Sequence, residues 1–143
     1  MKNIYTIGHS NRDIEEFVKI LMHYGIESLA DIRSHPGSKR NKQFNRTNLE
    51  NFLKDNSMEY IWIRELGGLR ENGFEDYMKT EAFRSGIDLL IKSSEKSKTA
   101  MMCAERNWRN CHRSLVSNFL CEMGFKTIHV FDKSHFEIHN VLL

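Results

Sequence analysis

The sequence predicts an α/β domain in three layers, with helices on both faces of a mostly parallel sheet of five or six strands. Three observations predict it. Short β-rich runs alternate with segments of helical apolar spacing along the chain, the pattern left by βαβ crossovers. Apolar residues make up 40% and charged residues 28%, enough to bury a core and inconsistent with disorder. The length, 143 residues, fits one domain over 1–143, with 134–143 as a short C-terminal strand or tail. The pattern does not fix the strand order; by analogy it is expected to be Rossmann-like or flavodoxin-like.

The elements follow in order. Lys2–Gly8 (KNIYTIG) is β-rich. In Asp13–Tyr24, Ile14, Phe17, Val18, Leu21 and Met22 fall on one helical face, Asn11 or Asp13 can cap, and Gly25 ends the helix. Ser28–Ile32 is a buried strand, followed by the polar stretch Ser34–Arg46. Asn45 or Thr47 opens a second helix that carries Leu49, Phe52 and Leu53 inward. Met58–Ile63 is the third strand, and Arg64–Asp76 is a loop built around Gly67-Gly68. Thr80 starts a helix through about Glu95, with Phe83, Ile87, Leu90 and Ile91 inward. Thr99–Cys103 is the fourth strand. Asn107 or Asn110 starts a helix with Leu115, Val116, Phe119 and Leu120 inward, closed by Gly124. Lys126–Phe131 is the fifth strand, and Ser134–Leu143 reads as an edge strand or a short helix.

Composition excludes several function classes. The 21 Lys and Arg against 19 Asp and Glu rule out a polybasic wrapper, though not a local basic patch. No apolar run approaches the roughly 20 residues of a membrane helix, and Met1–Gly8 has no secretory pattern. Three cysteines, Cys103, Cys111 and Cys121, read as reduced thiols of a cytoplasmic protein.

Ligands of open parallel sheets bind at the carboxyl ends of strands. The residues there are Gly8-His9-Ser10-Asn11-Arg12, Asp31-Ile32-Arg33-Ser34-His35, Arg64-Glu65-Leu66-Gly67-Gly68 and Cys103-Ala104-Glu105-Arg106, with Cys111-His112-Arg113-Ser114 at the next helix start. Imidazoles, thiols, carboxylates and guanidiniums thus gather on one edge of the sheet; ordinary polar loops are the alternative. The segments TIGHSNR, DIRSHPGSKRNKQFN, ELGG, YMKTEAF, MCAE and CHRS occur in this order. Through them the chain, from Tyr5 to about Val130, closely resembles the bacterial and archaeal family called domain of unknown function 488. The resemblance implies a cytoplasmic α/β domain and no particular activity. It includes His9, Ser10, Asn11, Asp31, Arg33, Glu105, Cys103, Cys111, His112 and Arg113, and departs at Trp108, where a smaller turn residue is expected.

Cys103 ends a strand before a helix, a position that can lower a thiol pKa. Cys103 and Arg109 fit the C-x5-R spacing of tyrosine phosphatases and some rhodaneses. The intervening residues lack glycine and carry Glu105, so the match is poor, and a small buried hydrophobe is the alternative. Cys111-His112-Arg113-Ser114 lies in the first turn of a predicted helix, where an anion is favoured and His112 can act as a base. Alternatively Arg113 pairs with Glu105 or Asp31, and His112 is a cap. No cofactor is expected. Zinc or iron on Cys103, Cys111 and His112, with His9, is the alternative, although C-x7-C-H does not match structural zinc spacing.

His9, Ser10 and Asn11 occupy the first βα turn, the usual phosphate-contact position, without the G-x-G-x-x-G of a dinucleotide site. His9, Asp31 and Glu105 can form an acid/base set, with Arg33 and Arg113 binding an anion; Asp31 and Arg33 share a strand face and can equally be a structural ion pair. The loop from His35 to Arg46 carries Lys39, Arg40, Lys42 and Arg46 beside Phe44, a set suited to nucleic-acid phosphates and one stacked base. The alternative is a solvated loop with Phe44 in the core. The leading expectation is a small enzyme or sensor that binds a phosphate-bearing ligand, a nucleotide or nucleic-acid end, and performs hydrolysis or group transfer. The other two are a nucleic-acid-binding module and a structural or partner-binding domain.

Overall fold

The structure is a computed structural model that describes residues 2–140. Six strands, β1 (Asn3–Gly8), β2 (Ser28–Asp31), β3 (Glu59–Trp62), β4 (Thr99–Cys103), β5 (Lys126–Asp132) and β6 (His135–Ile138), form one sheet. Its helices are α1 (Ile14–His23), α2 (Arg46–Asp55), α3 (Phe74–Tyr77), α4 (Glu81–Lys96) and α5 (Arg113–Glu122). Short 3-10 turns at Lys42–Phe44, Arg64–Leu66 and Trp108–Asn110 sit in the loops.

Local chemistry sets the boundaries. Asp13 precedes α1, Glu15 and Glu16 meet its positive end, and Gly25 leaves it at φ +72°. Asn45 caps α2 by accepting from the Asn48 N–H at 3.0 Å. Thr80 does the same for α4 with the Phe83 N–H. The last helix departs from expectation. Asn107 does cap, but it caps the 3-10 turn at Trp108–Asn110, accepting from the Arg109 N–H. Cys111 is then extended, at φ −147° and ψ 158°, so α5 can begin only at Arg113. The segment after Ser134 resolves as the edge strand β6, antiparallel to β5; residues 141–143 of that predicted tail lie outside the described residues.

The sheet order is β3-β2-β4-β1-β5-β6, parallel except for β6. This is the expected three-layer, mostly parallel α/β architecture, but the order is not the Rossmann 3-2-1-4-5-6. The α4 crossover inserts β4 between β2 and β1 instead of leaving those two strands paired. One core joins Phe17, Leu21, Phe44, Leu49 and Leu53 to one face, which α1 and α2 cover. The other joins Phe83, Ile87, Leu90, Val116 and Leu120 to the opposite face, under α4 and α5. The chain therefore leaves β1 and β2 toward one face and leaves β4 toward the other. Beyond the carboxyl end of β4, the loops part and open a crevice, the position where such sheets bind ligands. Among the described residues, no helix is long and apolar enough to cross a membrane.

Candidate functional site

The β1–β4 pairing continues past the strands. His9 N–H donates to the Cys103 carbonyl and Ser10 N–H to the Ala104 carbonyl, both at 2.9 Å. Gly8 is required for that approach, because a Cβ there would stand 1.9 Å from the Glu105 carbonyl oxygen. Ser10 takes a left-handed φ of 51° as the chain turns away. Above this junction lies a cleft of about 610 Å³ whose lining includes His9, Ser10, Asn11, Arg40, Glu105 and Arg106. A second cleft of about 400 Å³ adjoins it, lined by Cys103, Cys111, His112, Gly68 and Leu69, and the two share Arg33, His35, Ala104 and Glu105. A further recess of about 470 Å³, between β3 and α4, lies at the amino ends of strands around Ser28 and Glu59 and holds no thiol or imidazole.

Asp31 and Arg33 form a buried ion pair on the floor. Arg33 Nε donates to Asp31 Oδ1 at 2.9 Å and Nη2 to Oδ2 at 2.7 Å. Tyr60 also donates to Oδ2, at 2.6 Å, and Nη1 of Arg33 donates to the Phe44 carbonyl. Asp31 is fully buried, so it positions Arg33 and does not reach the cleft. Burial pushes the Tyr60 hydroxyl pKa up, and the Asp31 carboxylate pushes it further. His9 Nδ1 donates to the Ser10 carbonyl at 2.7 Å, which leaves Nε2 to accept from Arg33 Nη1 at 3.3 Å. The ring stacks on Phe44, with centroids 4.5 Å apart. Burial, aided by the Arg33 charge, holds the His9 pKa down to about 4. His9 is thus neutral, with its basic nitrogen turned toward a guanidinium.

The second cleft holds the thiols. Cys103 Sγ and Cys111 Sγ lie 2.9 Å apart, and both cysteines are free. His112 Nε2 donates to the Ile32 carbonyl at 3.0 Å, so Nδ1 faces Cys111 Sγ at 3.7 Å, free to take up the thiol proton and hold it toward the sulfur. The Arg113 backbone N–H points at the same sulfur, at 3.3 Å. The hydrogen bond from Cys103, together with His112 and the Arg113 charge, holds Cys111 down to about 4 against the effect of burial. Burial and the same thiol partner push Cys103 up. Gly67 and Gly68 are what the close loop packing demands: a Cβ on Gly67 would stand 2.6 Å from Ser34 Oγ, and one on Gly68 2.6 Å from His112 Nδ1. Among the described residues no three His, Cys, Asp or Glu side chains are grouped to hold a metal ion, so the suggested zinc or iron ligands do not form such a set.

Arg113 lies beneath the clefts and not in them. It is 1% exposed and pairs with neither Glu105 nor Asp31 as a carboxylate. Instead Nη1 donates to Thr6 Oγ1, and Nη2 to the main-chain carbonyls of Glu105 and Arg106. Its Nε finds no partner among the described residues. The guanidinium starts a chain of buried hydrogen bonds: Thr6 Oγ1 to His129 Nδ1 at 2.6 Å, His129 Nε2 to His139 Nδ1 at 2.8 Å, and His139 Nε2 to Asn118 Oδ1 at 2.6 Å. Because Asn118 Oδ1 and the Arg113 N–H each have one possible role, the chain runs one way and both imidazoles are neutral. Trp108, the departure noted above, stacks on His129 with ring planes 4° apart. Arg12 is also buried, donating to the Gly8 and Phe131 carbonyls, and makes no contact ion pair among the described residues.

Glu105 presents its side chain to solvent on the wall shared by both clefts, and Asn11 is exposed on the rim. In the basic loop, Lys39, Arg40 and Lys42 are exposed, while Arg46 lies over Trp62 and near Glu50. Phe44 is fully buried and unavailable to stack on a base. The structure therefore brings His9, Ser10, Asn11, Arg33 and Glu105 to one cleft, and Cys103, Cys111, His112 and Glu105 to its neighbour. Sequence reasoning placed Arg12, Arg106 and His35 at the strand ends but did not choose them as site residues. Arg12 and His35 immediately follow the segments GHSN and DIRS, and Arg106 follows MCAE, so adjacency was the available signal.

A family model described as Domain of unknown function DUF488 matches residues 13–120. No curated protein and no solved structure matches the chain.

Proposed function

The chain belongs to the family described as domain of unknown function DUF488, and from that premise we propose that it binds a phosphate-bearing anion, a nucleotide or nucleic-acid end, in the larger of the two adjoining clefts. One observation carries the reading. Two guanidiniums, Arg113 beneath the β1–β4 junction and Arg12 between the carboxyl ends of β1 and β5, are buried without a contact ion pair among the described residues. A buried cation lacking a close anion is costly. An anion in the cleft above offsets that penalty, and the low dielectric strengthens the attraction. Arg40 and Arg106 on the lining make no ion pair among the described residues either, and Ser10 and Asn11 add polar donors. Glu105, on the wall shared with the thiol cleft, and His112 are the acid/base candidates for hydrolysis or group transfer. A cytoplasmic setting, which keeps the thiols reduced, accords with this reading.

The test is calorimetry and thermal shift with ADP, a phosphosugar, inorganic phosphate and a short oligonucleotide with and without a 5′-phosphate. Stabilisation that requires the phosphate, and that disappears in the Arg40→Gln/Arg106→Gln double variant while its ligand-free Tm is unchanged, is the expected result. Absence of any phosphate-dependent shift across these probes refutes the reading. Oligonucleotide binding that ignores the 5′-phosphate and weakens steeply with salt would transfer the function to the loop bearing Lys39, Lys42 and Arg46.

A further inference from the structure

We propose that Cys103 and Cys111 are a redox-active dithiol that exchanges with small-molecule disulfides, Cys111 attacking and Cys103 resolving. The site is distinct from the anion cleft, and the inference does not depend on the reading above. Three geometric observations carry it. The two sulfurs stand 2.9 Å apart across an eight-residue separation, so joining them requires movement of less than about 1 Å from contact to the ~2.0 Å bond length. Both line an open cleft of about 400 Å³, and Cys111 is the more exposed of the two. The surroundings suit an anion on Cys111: His112 Nδ1 at 3.7 Å, which takes up the thiol proton and then donates it back toward the sulfur, the Arg113 N–H at 3.3 Å, and the buried Arg113 guanidinium with no carboxylate in contact among the described residues. The third cysteine, Cys121, lies elsewhere on α5 beside Thr127 and serves as an internal control.

The chemistry balances without any further reactant. The Cys111 thiolate attacks one sulfur of RS–SR; the S–S bond breaks, RS⁻ leaves and takes up a proton, and Cys111 carries a mixed disulfide. Its sulfur no longer bears charge, so the nearby Arg113 charge now favours ionisation of Cys103. Cys103 gives its proton to His112 or water and attacks the Cys111 sulfur, and the second RS⁻ departs to become RSH. Two thiols are oxidised by two electrons, and RS–SR is reduced to two RSH. Burial of Cys103 orders the steps, since the protonated, enclosed sulfur reacts only once the attacker is occupied.

The experiment equilibrates the full chain with glutathione at defined oxidised-to-reduced ratios at neutral pH, followed by acid quench, alkylation and peptide mass mapping. The expected wild-type product is two hydrogens lighter, with Cys103 joined to Cys111 and Cys121 still alkylated. Cys103→Ser should stop at a lasting glutathione adduct on Cys111, and Cys111→Ser should form no internal disulfide. Alkylation against pH supplies a readout independent of the disulfide. Low-pKa thiolates are intrinsically weaker nucleophiles, so the signature is the profile and not the neutral rate. Cys111 should alkylate at a nearly constant rate from about pH 5 to 8, whereas a thiol of ordinary pKa loses roughly tenfold per pH unit over that range. Three alkylatable thiols in excess oxidised glutathione, a wild-type protein that halts as the mixed adduct, or a Cys111 rate that falls roughly tenfold per pH unit from about pH 8 to 5 would each overturn the proposal.

Discussion

Gly68 faces the imidazole of His112 so closely that a methyl group on its Cα would stand 2.6 Å from Nδ1. The ring has little freedom to yield, since Nε2 is tied to the Ile32 carbonyl and one face meets Phe74, with centroids 5.2 Å apart. Gly68→Ala should therefore swing His112 out of place, lose that hydrogen bond and reduce stability by about 1–3 kcal/mol. The displaced imidazole should also raise the pH at which Cys111 begins to alkylate. Urea unfolding and an alkylation profile read both effects; a variant that matches wild type in each would mean that His112 does not act on the thiol.

Among the described residues Asp31 is the sole carboxylate in contact with Arg33, and it receives Tyr60 as well. Asp31→Asn keeps the volume but leaves a buried guanidinium without its counter-charge, a change that costs about 3–5 kcal/mol. Tyr60→Phe removes one hydrogen bond from a carboxylate that retains three others, so its loss should be nearer about 1 kcal/mol. Equilibrium denaturation of the two variants gives the ranking. If Asp31→Asn were as mild as Tyr60→Phe, water would have to enter the floor of the cleft and solvate Arg33.

Strands and long helices were legible because their apolar periods are local: Phe17, Val18 and Leu21, or Phe83, Ile87 and Leu90, declare their faces within one helix. Strand order was not legible, because whether α4 returns β4 beside β2 or beyond β1 depends on pairings across the whole chain. The candidate site divides the same way. Residues past strand ends, such as His9 and Glu105, follow from the α/β pattern alone. The Cys103–Cys111 contact does not, because no metal or redox motif has that spacing. It arises only when the 3-10 turn at Trp108–Asn110 folds the loop back on the end of β4. Arg113 was misjudged for a related reason: the register that directs it toward Thr6 is set by where α5 starts, and extended Cys111 delays that start.

Acid should destabilise the fold through its buried histidines. His9 is held at about 4, His129 at about 2, and His139 is lowered as well, each chiefly by burial. For a group depressed in the folded state, the stabilisation is complete above the unfolded pKa of 6.5 and is lost as pH falls, because only the unfolded chain takes up the proton. Each such histidine contributes a slope of up to about 1.4 kcal/mol per pH unit. Stability from urea titrations should thus decline from pH 6.5 toward 4, and His9→Gln should make that decline shallower by about one proton. A pH-independent stability over this interval would show that the imidazoles are protonated in the folded protein.

Arg113→Met sets two opposing effects against each other. The substitution removes a buried cation that has no contact anion among the described residues, which by itself favours the fold. It also takes the donors from the carbonyls of Glu105 and Arg106 and from Thr6 Oγ1. Orphaned buried acceptors cost about 1–3 kcal/mol each. Glu105 and Arg106 belong to an exposed loop, where water can replace part of the loss at the expense of the loop's position against Gly8. Lost hydrogen bonds should outweigh charge relief, for a net destabilisation of about 2–4 kcal/mol. Two further readouts separate loss of the charge from simple loosening. The Arg113 charge helps to lower both His129 and Cys111. In Arg113→Met the acid decline should therefore begin to level off at higher pH, and Cys111 should require higher pH to alkylate. Arg113→Lys, which keeps the charge but cannot serve three acceptors at once, should lose stability while leaving the Cys111 profile closer to wild type. Coincident Cys111 profiles in the Met and Lys variants would mean that the guanidinium acts on the thiols only through loop position.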